Sequence, residues 1–248
     1  MASSVHGNVQ AAALAGVTIA GNATAIILLF VPMYTFVMPV WKEGSVGEQM
    51  VYTYVFALFN SVAWVVYAAV LLPGSLPFIA VNGAGILLHL CYIVLYIWFA
   101  AGKKQKHALL LLLAAGIVSV ITAAAAATTL MVFPQWWSAT LIAIVASSSG
   151  TSMQLVPAFD LVTVVRSKQA NGMSPAKVLI SLLNGCIWTT YGFMSVPANI
   201  YVVVPSLMGI VSAAVQIVVY LMYRRNPMVH PDAVDDAHKL RELHASPV

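Results

Sequence analysis

The chain carries too little charge to be a water-soluble domain. Only 7% of its 248 residues are charged, whereas 61% are apolar and the mean hydropathy is +0.93. A soluble domain needs roughly 25% charged residues to cover its surface. The composition therefore predicts an integral membrane protein in a lipid bilayer. The net charge of +4 is no sign of nucleic-acid binding, and we expect no nucleic-acid partner.

Cysteine and the side chains of most catalytic sites are scarce as well. The two cysteines, Cys91 and Cys186, both fall within predicted helices, so a disulfide framework is not indicated. No paired carboxylates and no His-Glu-x-x-His motif occur within an apolar segment. We therefore expect no enzyme activity, no metal site and no cofactor.

Long apolar runs predict seven transmembrane helices. A helix needs about 20 apolar residues to cross a bilayer. Hydrocarbon offers the backbone no hydrogen-bonding partner, so such runs must be helical. We place spans 1 to 7 at about residues 11–40, 50–72, 78–101, 107–132, 138–165, 178–196 and 199–223. The predicted fold class is all-α.

All eleven lysine and arginine residues fall on one side of this arrangement. They are Lys42, Lys103, Lys104, Lys106, Arg166, Lys168, Lys177, Arg224, Arg225, Lys239 and Arg241. The start of the chain and the loops near residues 73–77, 134–139 and 197–198 have none. The positive-inside rule then places the N-terminus outside and the C-terminus in the cytosol.

An internal repeat relates spans 1–3 to spans 5–7. The matched pairs, 124 or 125 residues apart, are Asn60 and Asn184, Trp64 and Trp188, Tyr67 and Tyr191, Gly85 and Gly209, and Pro32 and Pro157. Span 4 has no counterpart and restores the orientation of the second copy, so the repeat is parallel and a site is expected where the halves meet. We divide the chain into a first repeat at 1–101, a linker helix at 102–135, a second repeat at 136–223 and a flexible cytosolic tail at 224–248.

The order and spacing of several short motifs resemble the SWEET family of sugar transporters. Span 1 has Gly-Asn followed by Pro-x-x-Thr-Phe, span 3 has Asn-x-x-Gly, and span 6 reads Leu-Asn-x-x-x-Trp-x-x-Tyr-Gly. Span 7 carries Pro205 and Gly209, followed by Gln216 and Tyr220. The resemblance covers about residues 15–223 and implies two three-helix bundles joined by an inversion linker helix, the 3+1+3 arrangement.

Amide, hydroxyl and ring side chains at mid-span predict a sugar site. A sugar presents hydroxyls that donate and accept, and C–H faces that stack on aromatic rings. The residues that supply these partners are Asn60, Trp64, Asn82, Asn184, Trp188 and Ser206. The resemblance implies further walls at Ala25, Leu28, Gly150 and Met153. Two alternatives stay open: the asparagines bond across helices as packing contacts, and the tryptophans are interfacial anchors.

The resemblance also implies hinges. The family carries a proline near the start of spans 2 and 6, besides those matching Pro32 and Pro157. Here the aligned residue of span 2 is Thr53, and in span 6 Pro175 follows the aligned Ser174 by one position. Proline removes a helical hydrogen bond and permits bending. We assign Pro32, Pro157, Thr53 and Pro175 to hinge or gate positions, with static kinks at the prolines as the alternative.

Two ionisable residues within the spans are considered separately. His89, deep in span 3, is either a functional group or a neutral side chain bonded to a neighbouring helix. Asp160 is expected to pair with a basic residue near the cytosolic face, such as Arg166 or Lys168.

The predicted function is bidirectional, facilitative transport of a mono- or disaccharide by alternating access, without obligatory proton coupling. The rival is a PQ-loop transporter of amino acids or another small solute, which shares the architecture. Its Pro-Gln signature would fall at Pro32-Met33 and Pro157-Ala158, and neither has glutamine. We expect the plasma membrane, with a vacuolar or other endomembrane as the alternative, and leave open a homo-oligomer or a non-conducting scaffold.

Overall fold

The computed structural model describes residues 2–47, 49–73, 75–170 and 173–225, with side chains at 7–47, 49–73, 75–158, 161–170 and 173–225. The predicted ion pair of Asp160 and the predicted tail beyond Arg225 lie outside these residues.

The helices of the described residues form seven spans. Span 1 consists of an α-helix, Ala2–Pro32, a π-helical segment, Met33–Val37, and a short α-helix, Met38–Glu43. Span 5 is also in two pieces, Gln135–Met153 and Val156–Ser167. The continuous spans are span 2, Tyr52–Val70; span 3, Leu76–Phe99; span 4, Gly102–Val132; span 6, Pro175–Met194; and span 7, Ile200–Tyr223. The described residues contain no strand, and the predicted all-α class is confirmed.

Span 6 is less apolar than the others. The other six spans are long and apolar enough to cross a membrane by themselves. Span 6 has 20 residues, enough for a bilayer core of about 30 Å at about 1.5 Å rise per residue. Its hydropathy is lowered by Asn184, Thr189 and Thr190, and it packs closely against spans 1 and 7. Neighbouring helices partly shield Asn184 and Thr189, whereas Thr190 is exposed.

The third span of each repeat lies between the other two. Span 3 contacts spans 1 and 2, and span 7 contacts spans 5 and 6. The repeats meet through span 1 against span 6 and span 2 against span 5. The repeat makes span 1 equivalent to span 5 and span 2 equivalent to span 6, so it converts one of these contacts into the other. This is expected for two halves related by a two-fold axis along the membrane normal. Span 4 packs against spans 2, 3 and 5. The bundle has a basic end, near Lys42 and Arg224, and an uncharged end, near Leu71, Phe133 and Ser195.

Spans 1 and 5 both depart from regular helix at the matched prolines. In span 1 the π-helical segment follows Pro32 directly, and the Tyr92 hydroxyl donates to the Leu29 carbonyl at 2.8 Å. In span 5 the helix breaks at Gln154–Leu155, and Pro157 is the second residue of the new helix. A proline has no N–H and crowds the carbonyl four residues earlier, which accounts for the break just before Pro157. The π-helical segment lies after Pro32 and before Pro39, the second residue of the next helix, whose ring crowds the Thr35 carbonyl inside the segment.

Candidate functional site

The predicted binding residues surround the interface between the repeats. Asn60 and Trp64 lie on span 2, which faces span 5, and Asn184 and Trp188 lie on span 6, which faces span 1. The partially exposed members of the predicted set are Asn60, Trp64, Asn82, Asn184, Trp188, Ser206, Ala25, Leu28 and Met153. They are neither core residues nor fully exposed, as expected of side chains that line a space inside the bundle.

Asn60 joins the two repeats through its side-chain oxygen. That oxygen accepts from the Trp64 indole nitrogen one turn along the same helix, at 3.1 Å, and from the Ser149 hydroxyl of span 5, also at 3.1 Å. Gly150 is buried beside them: a Cβ there would lie 3.1 Å from Pro205 and 3.5 Å from the Asn60 oxygen. The predicted wall residue Gly150 therefore allows span 5 to approach the amide closely.

Asn184 makes the corresponding connection on the other side. Its amide nitrogen donates to the Thr24 hydroxyl of span 1 at 2.8 Å and to the Gly21 carbonyl at 3.3 Å. The Trp188 ring covers Gly21, where a Cβ would lie 2.9 Å from ring carbons. A glycine at this position is thus required by the ring that packs on it.

Asn82 and Ser206 bond within their own helices. The Asn82 amide nitrogen donates to the Phe78 carbonyl at 2.9 Å, and the Ser206 hydroxyl donates to the Val202 carbonyl at 2.8 Å. Both bonds run back one turn, to the residue four positions earlier. Among the described residues none bonds the Asn82 oxygen, which leaves one acceptor on span 3 for a ligand.

Sequence reasoning missed Thr24 as a site residue and gave Ser149 no partner. These hydroxyl residues are 125 residues apart, the same offset as Pro32 and Pro157. Each faces the asparagine of the opposite repeat. The offset was a usable signal, because a polar residue that recurs at an equivalent position of both repeats is a candidate for contact across their interface.

Aromatic residues close the uncharged end one turn beyond the site. The Asn199 amide nitrogen donates to the Tyr67 hydroxyl at 3.0 Å, which joins span 7 to span 2. The Phe78 ring centroid of span 3 lies 4.9 Å from that of Trp188 and 5.2 Å from that of Tyr191. A cavity of about 160 Å³ lies among these side chains, and it is lined by Tyr67, Ala68, Leu71, Ser75, Phe78, Tyr191, Asn199 and Val202.

Comparison with known proteins identifies the family. The family model described as "Sugar efflux transporter for intercellular exchange" matches residues 16–104 and again residues 140–228. The chain belongs to the SWEET family. Both matches begin and end 124 residues apart (140 − 16 and 228 − 104), in agreement with the repeat. The double match confirms the predicted repeat, whereas the boundaries of the four segments remain a prediction.

The SWEET relatives extend over most of the chain. It is 30% identical over 209 residues to "Bidirectional sugar transporter SWEET4" of Oryza sativa subsp. indica, covering 84% of this chain and 79% of the relative. It is 24% identical to "Bidirectional sugar transporter SWEET4" of Arabidopsis thaliana, over 83% of this chain and 80% of that protein. The family is one of transporters rather than of enzymes.

A solved structure has the same fold. "The 3.7 A resolution structure of a eukaryotic SWEET transporter" superposes with a TM-score of 0.76 at 23% identity, covering 87% of this chain and 98% of that one. The seven-span arrangement of two repeats and a linker helix is therefore confirmed as the SWEET fold.

The predicted hinge residues lie at the ends or bends of their helices. Pro32 precedes the π-helical segment and Pro157 follows the break in span 5. Thr53 is the second residue of span 2, and Pro175 is the first of span 6. Ser174 caps span 6, because its side chain accepts from the Lys177 backbone nitrogen at 3.3 Å. All four hinge assignments in this SWEET protein remain predictions.

His89 is buried in span 3 and lies outside the residues around the inter-repeat interface. It is 7% exposed, and its ring centroid lies 6.3 Å from that of Tyr92. Within the described part of the chain its Nδ1 atom has no hydrogen-bond partner. The predicted bond to a neighbouring helix is therefore not seen at this atom.

Proposed function

We propose that this SWEET protein carries a mono- or disaccharide in either direction down its gradient, by alternating access to a site between the repeats. The observation that supports this most strongly is the set of half-buried amides and indole rings where spans 1, 2, 5 and 6 meet. Polar groups at that depth need a partner or water. Asn60 and Asn184 each use one side-chain amide atom for a hydrogen bond across the interface. No described residue bonds the other amide atom, which can therefore bond a substrate.

The contacts at the uncharged end fit a closed gate on that side. Tyr67 and Asn199 join the repeats directly, and Phe78 of the first repeat packs on Trp188 and Tyr191 of the second. To admit sugar from the uncharged end, the protein must break the Tyr67–Asn199 bond and separate these rings. The bends at Pro32 and Pro157 are where spans 1 and 5 would flex during this exchange.

The orientation and location are part of the proposal. The basic end faces the cytosol under the positive-inside rule, so the N-terminus is outside, and the plasma membrane is the proposed location. Cysteine labelling of intact cells tests this. A Trp136→Cys variant, at a residue 64% exposed at the uncharged end, should label from outside, and a Gln105→Cys variant should not. Labelling of the Gln105→Cys variant from outside would reverse the orientation.

Uptake into proteoliposomes tests the proposed function. Purified protein should carry at least one radiolabelled sugar saturably, and the rate should persist when an ionophore collapses the pH gradient, because the residues assigned to the site include no carboxylate. Empty liposomes and a Trp64→Ala variant are the matched controls. Dominant uptake of an amino acid that requires the pH gradient would favour the PQ-loop alternative instead.

A further inference from the structure

Asn60 and Asn184 occupy equivalent positions of the two repeats but bond across the interface through opposite atoms. Asn60 uses its side-chain oxygen toward span 5, and Asn184 uses its side-chain nitrogen toward span 1. The partners are equivalent too, because Ser149 and Thr24 are 125 residues apart. The pseudo-symmetry of the backbone is therefore retained while the polarity of the two amides is reversed.

At Asn60, the hydrogen-bonding partners determine where the amide oxygen lies and where the amide nitrogen lies. An indole N–H donates only, so the Asn60 atom 3.1 Å from the Trp64 Nε1 must be the oxygen. The Ser149 hydroxyl lies at the same distance from that oxygen, and it also reaches the Ala146 carbonyl at 2.7 Å. The Trp64 bond alone suffices to orient the amide.

At Asn184 the partners require the opposite orientation. The Gly21 carbonyl accepts only, so the Asn184 atom 3.3 Å from it must be the nitrogen. The Thr24 hydroxyl donates to a carbonyl of its own helix, that of Gly21 at 2.9 Å or Ala20 at 3.2 Å. Its oxygen is then left to accept from Asn184 at 2.8 Å. Two independent partners thus agree.

Each amide retains one free group. At Asn60 it is the amino group, a donor, and at Asn184 it is the oxygen, an acceptor. No described residue bonds either group. In the described part of the chain the buried side-chain atoms without a partner are on Asn22, His89, Thr189 and Asn199, so the free groups of Asn60 and Asn184 are not sealed in the protein. The two sides of the site therefore present unlike hydrogen-bonding groups.

We propose that the site holds a sugar in one fixed orientation, with one hydroxyl accepting a hydrogen bond from Asn60 Nδ2 and a different hydroxyl donating one to Asn184 Oδ1. This rests on the proposed function, since it assumes that a sugar binds between the repeats. A near-symmetric scaffold would in this way distinguish the two ends of an asymmetric ring. The Trp64 indole at Asn60, and the Gly21 carbonyl and Thr24 hydroxyl at Asn184, then keep the amides from rotating.

Deoxy and deoxyfluoro analogues of the transported sugar test the proposal on the parent protein. A C–F group accepts weakly and never donates, whereas a C–H group does neither. At the hydroxyl that accepts from Asn60, the fluoro analogue should bind more tightly than the deoxy analogue by a factor of up to about five, because a full neutral hydrogen bond is worth about 1 kcal/mol. At the hydroxyl that donates to Asn184, both analogues should be weaker than the parent sugar by about the same factor.

Two matched variants assign these hydroxyls. Asn60→Asp keeps the oxygen that Trp64 holds and replaces the free donor, so it should abolish the advantage of the fluoro analogue. Asn184→Asp removes the donor to Thr24 and Gly21 and should weaken binding of every analogue, but it leaves Asn60 unchanged and should leave that advantage in place. If either variant does not fold, the analogue series on the parent protein still decides.

Three outcomes contradict the proposal. The first is that fluoro and deoxy analogues bind equally at every position, and the second is that both variants abolish the fluoro advantage. The third is that no sugar binds to the parent protein at all, which overturns the proposed function as well and is thereby distinguished from the other two.

Discussion

The two repeats have the same arrangement of three helices but differ in side-chain packing at the basic end. In the first repeat Phe36 is 0% exposed, and its ring centroid lies 4.8 Å from that of Tyr54 and 6.3 Å from that of Tyr96. Tyr92 belongs to the same cluster, with its ring centroid 5.6 Å from that of Tyr54. The equivalent positions of the second repeat hold Leu161, Val178, Gln216 and Tyr220, of which only Val178 is buried.

The bends in spans 1 and 5 differ in the same sense as the packing around them. In span 1 the chain remains helical through the π-helical segment, and Tyr92 satisfies the Leu29 carbonyl. In span 5 the helix is broken, and Gln216, at the position equivalent to Tyr92, bonds Ser212 of its own helix. Few buried contacts and an interrupted helix mark a segment of low local stability. We therefore expect the second repeat to contribute more of the movement at the basic end.

Removing the central ring of the cluster should have the largest effect on stability. Phe36→Ala should lower the free energy of unfolding by about 3–5 kcal/mol, because it empties a fully buried site. Leu161→Ala, at the half-buried equivalent position, should cost no more than about 2 kcal/mol. Thermal unfolding of the two purified variants measures this. Equal losses would mean that the repeats are equally well packed.

Asn82 of span 3 and Ser206 of span 7 are equivalent positions at which the two repeats can be compared by their effect on transport. Asn82→Ala should reduce sugar uptake by roughly ten- to a hundredfold, because leaving a buried partner unpaired costs about 1–3 kcal/mol. Ser206→Ala should have a smaller effect, since its hydroxyl already bonds Val202. Ser206→Asn should be tolerated or shift the sugar preference. If Asn82→Ala inserts normally and transports at the parental rate, the asparagines are packing contacts.

Replacing the two prolines compares the bends directly. Pro157→Ala should reduce transport about fivefold, because a regular helix would regain a backbone hydrogen bond of about 1 kcal/mol that opposes bending. Pro32→Ala should reduce it less, since its bend is held by the aromatic cluster. Sugar uptake into cells is divided by the amount of each variant at the cell surface. Unchanged uptake in both variants would assign the prolines to static kinks.

The smallest expected effect concerns Tyr92 of span 3, whose hydroxyl bonds span 1. Tyr92→Phe removes the donor to the Leu29 carbonyl and should lower the free energy of unfolding by about 1 kcal/mol. Gln216→Leu is the matched change in the second repeat and should stay within about 0.5 kcal/mol. Denaturation of both variants under one condition gives the comparison. A larger loss for Gln216→Leu would reverse it.

The sequence predicted the spans and the repeat well because both depend on local pattern. Apolar run length places each helix, and the recurrence of Asn60 and Trp64 as Asn184 and Trp188 marks equivalent faces of spans 2 and 6. The one span that is less apolar than the rest was still placed by its apolar run, and the recurrence of Asn184 and Trp188 agrees with that placement. Bilayer physics and the repeat together therefore led to the correct seven-span fold.

The partners of the site residues were beyond sequence reasoning. That Asn184 bonds Thr24 depends on how span 1 packs against span 6, which no residue pattern within either span specifies. The π-helical form of one bend and the break at the other are likewise outcomes of packing, since spans 1 and 5 both carry the matched proline and still differ. Asn82 was assigned to a ligand by its type, but which of its atoms remains free depends on its bond to Phe78.

Substrate protection of a cysteine on span 5, one turn from the Ser149 that contacts Asn60, tests most directly whether sugar binds between the repeats. Met153→Cys, in a background with Cys91→Ser and Cys186→Ser, places a thiol one turn from Ser149. Its modification by a water-soluble thiol reagent should slow as the transported sugar is added, with half-protection near the concentration of half-maximal uptake, whereas the Trp136→Cys control should be unaffected. An unchanged Met153→Cys rate at saturating sugar, in protein that still transports it, would contradict the account.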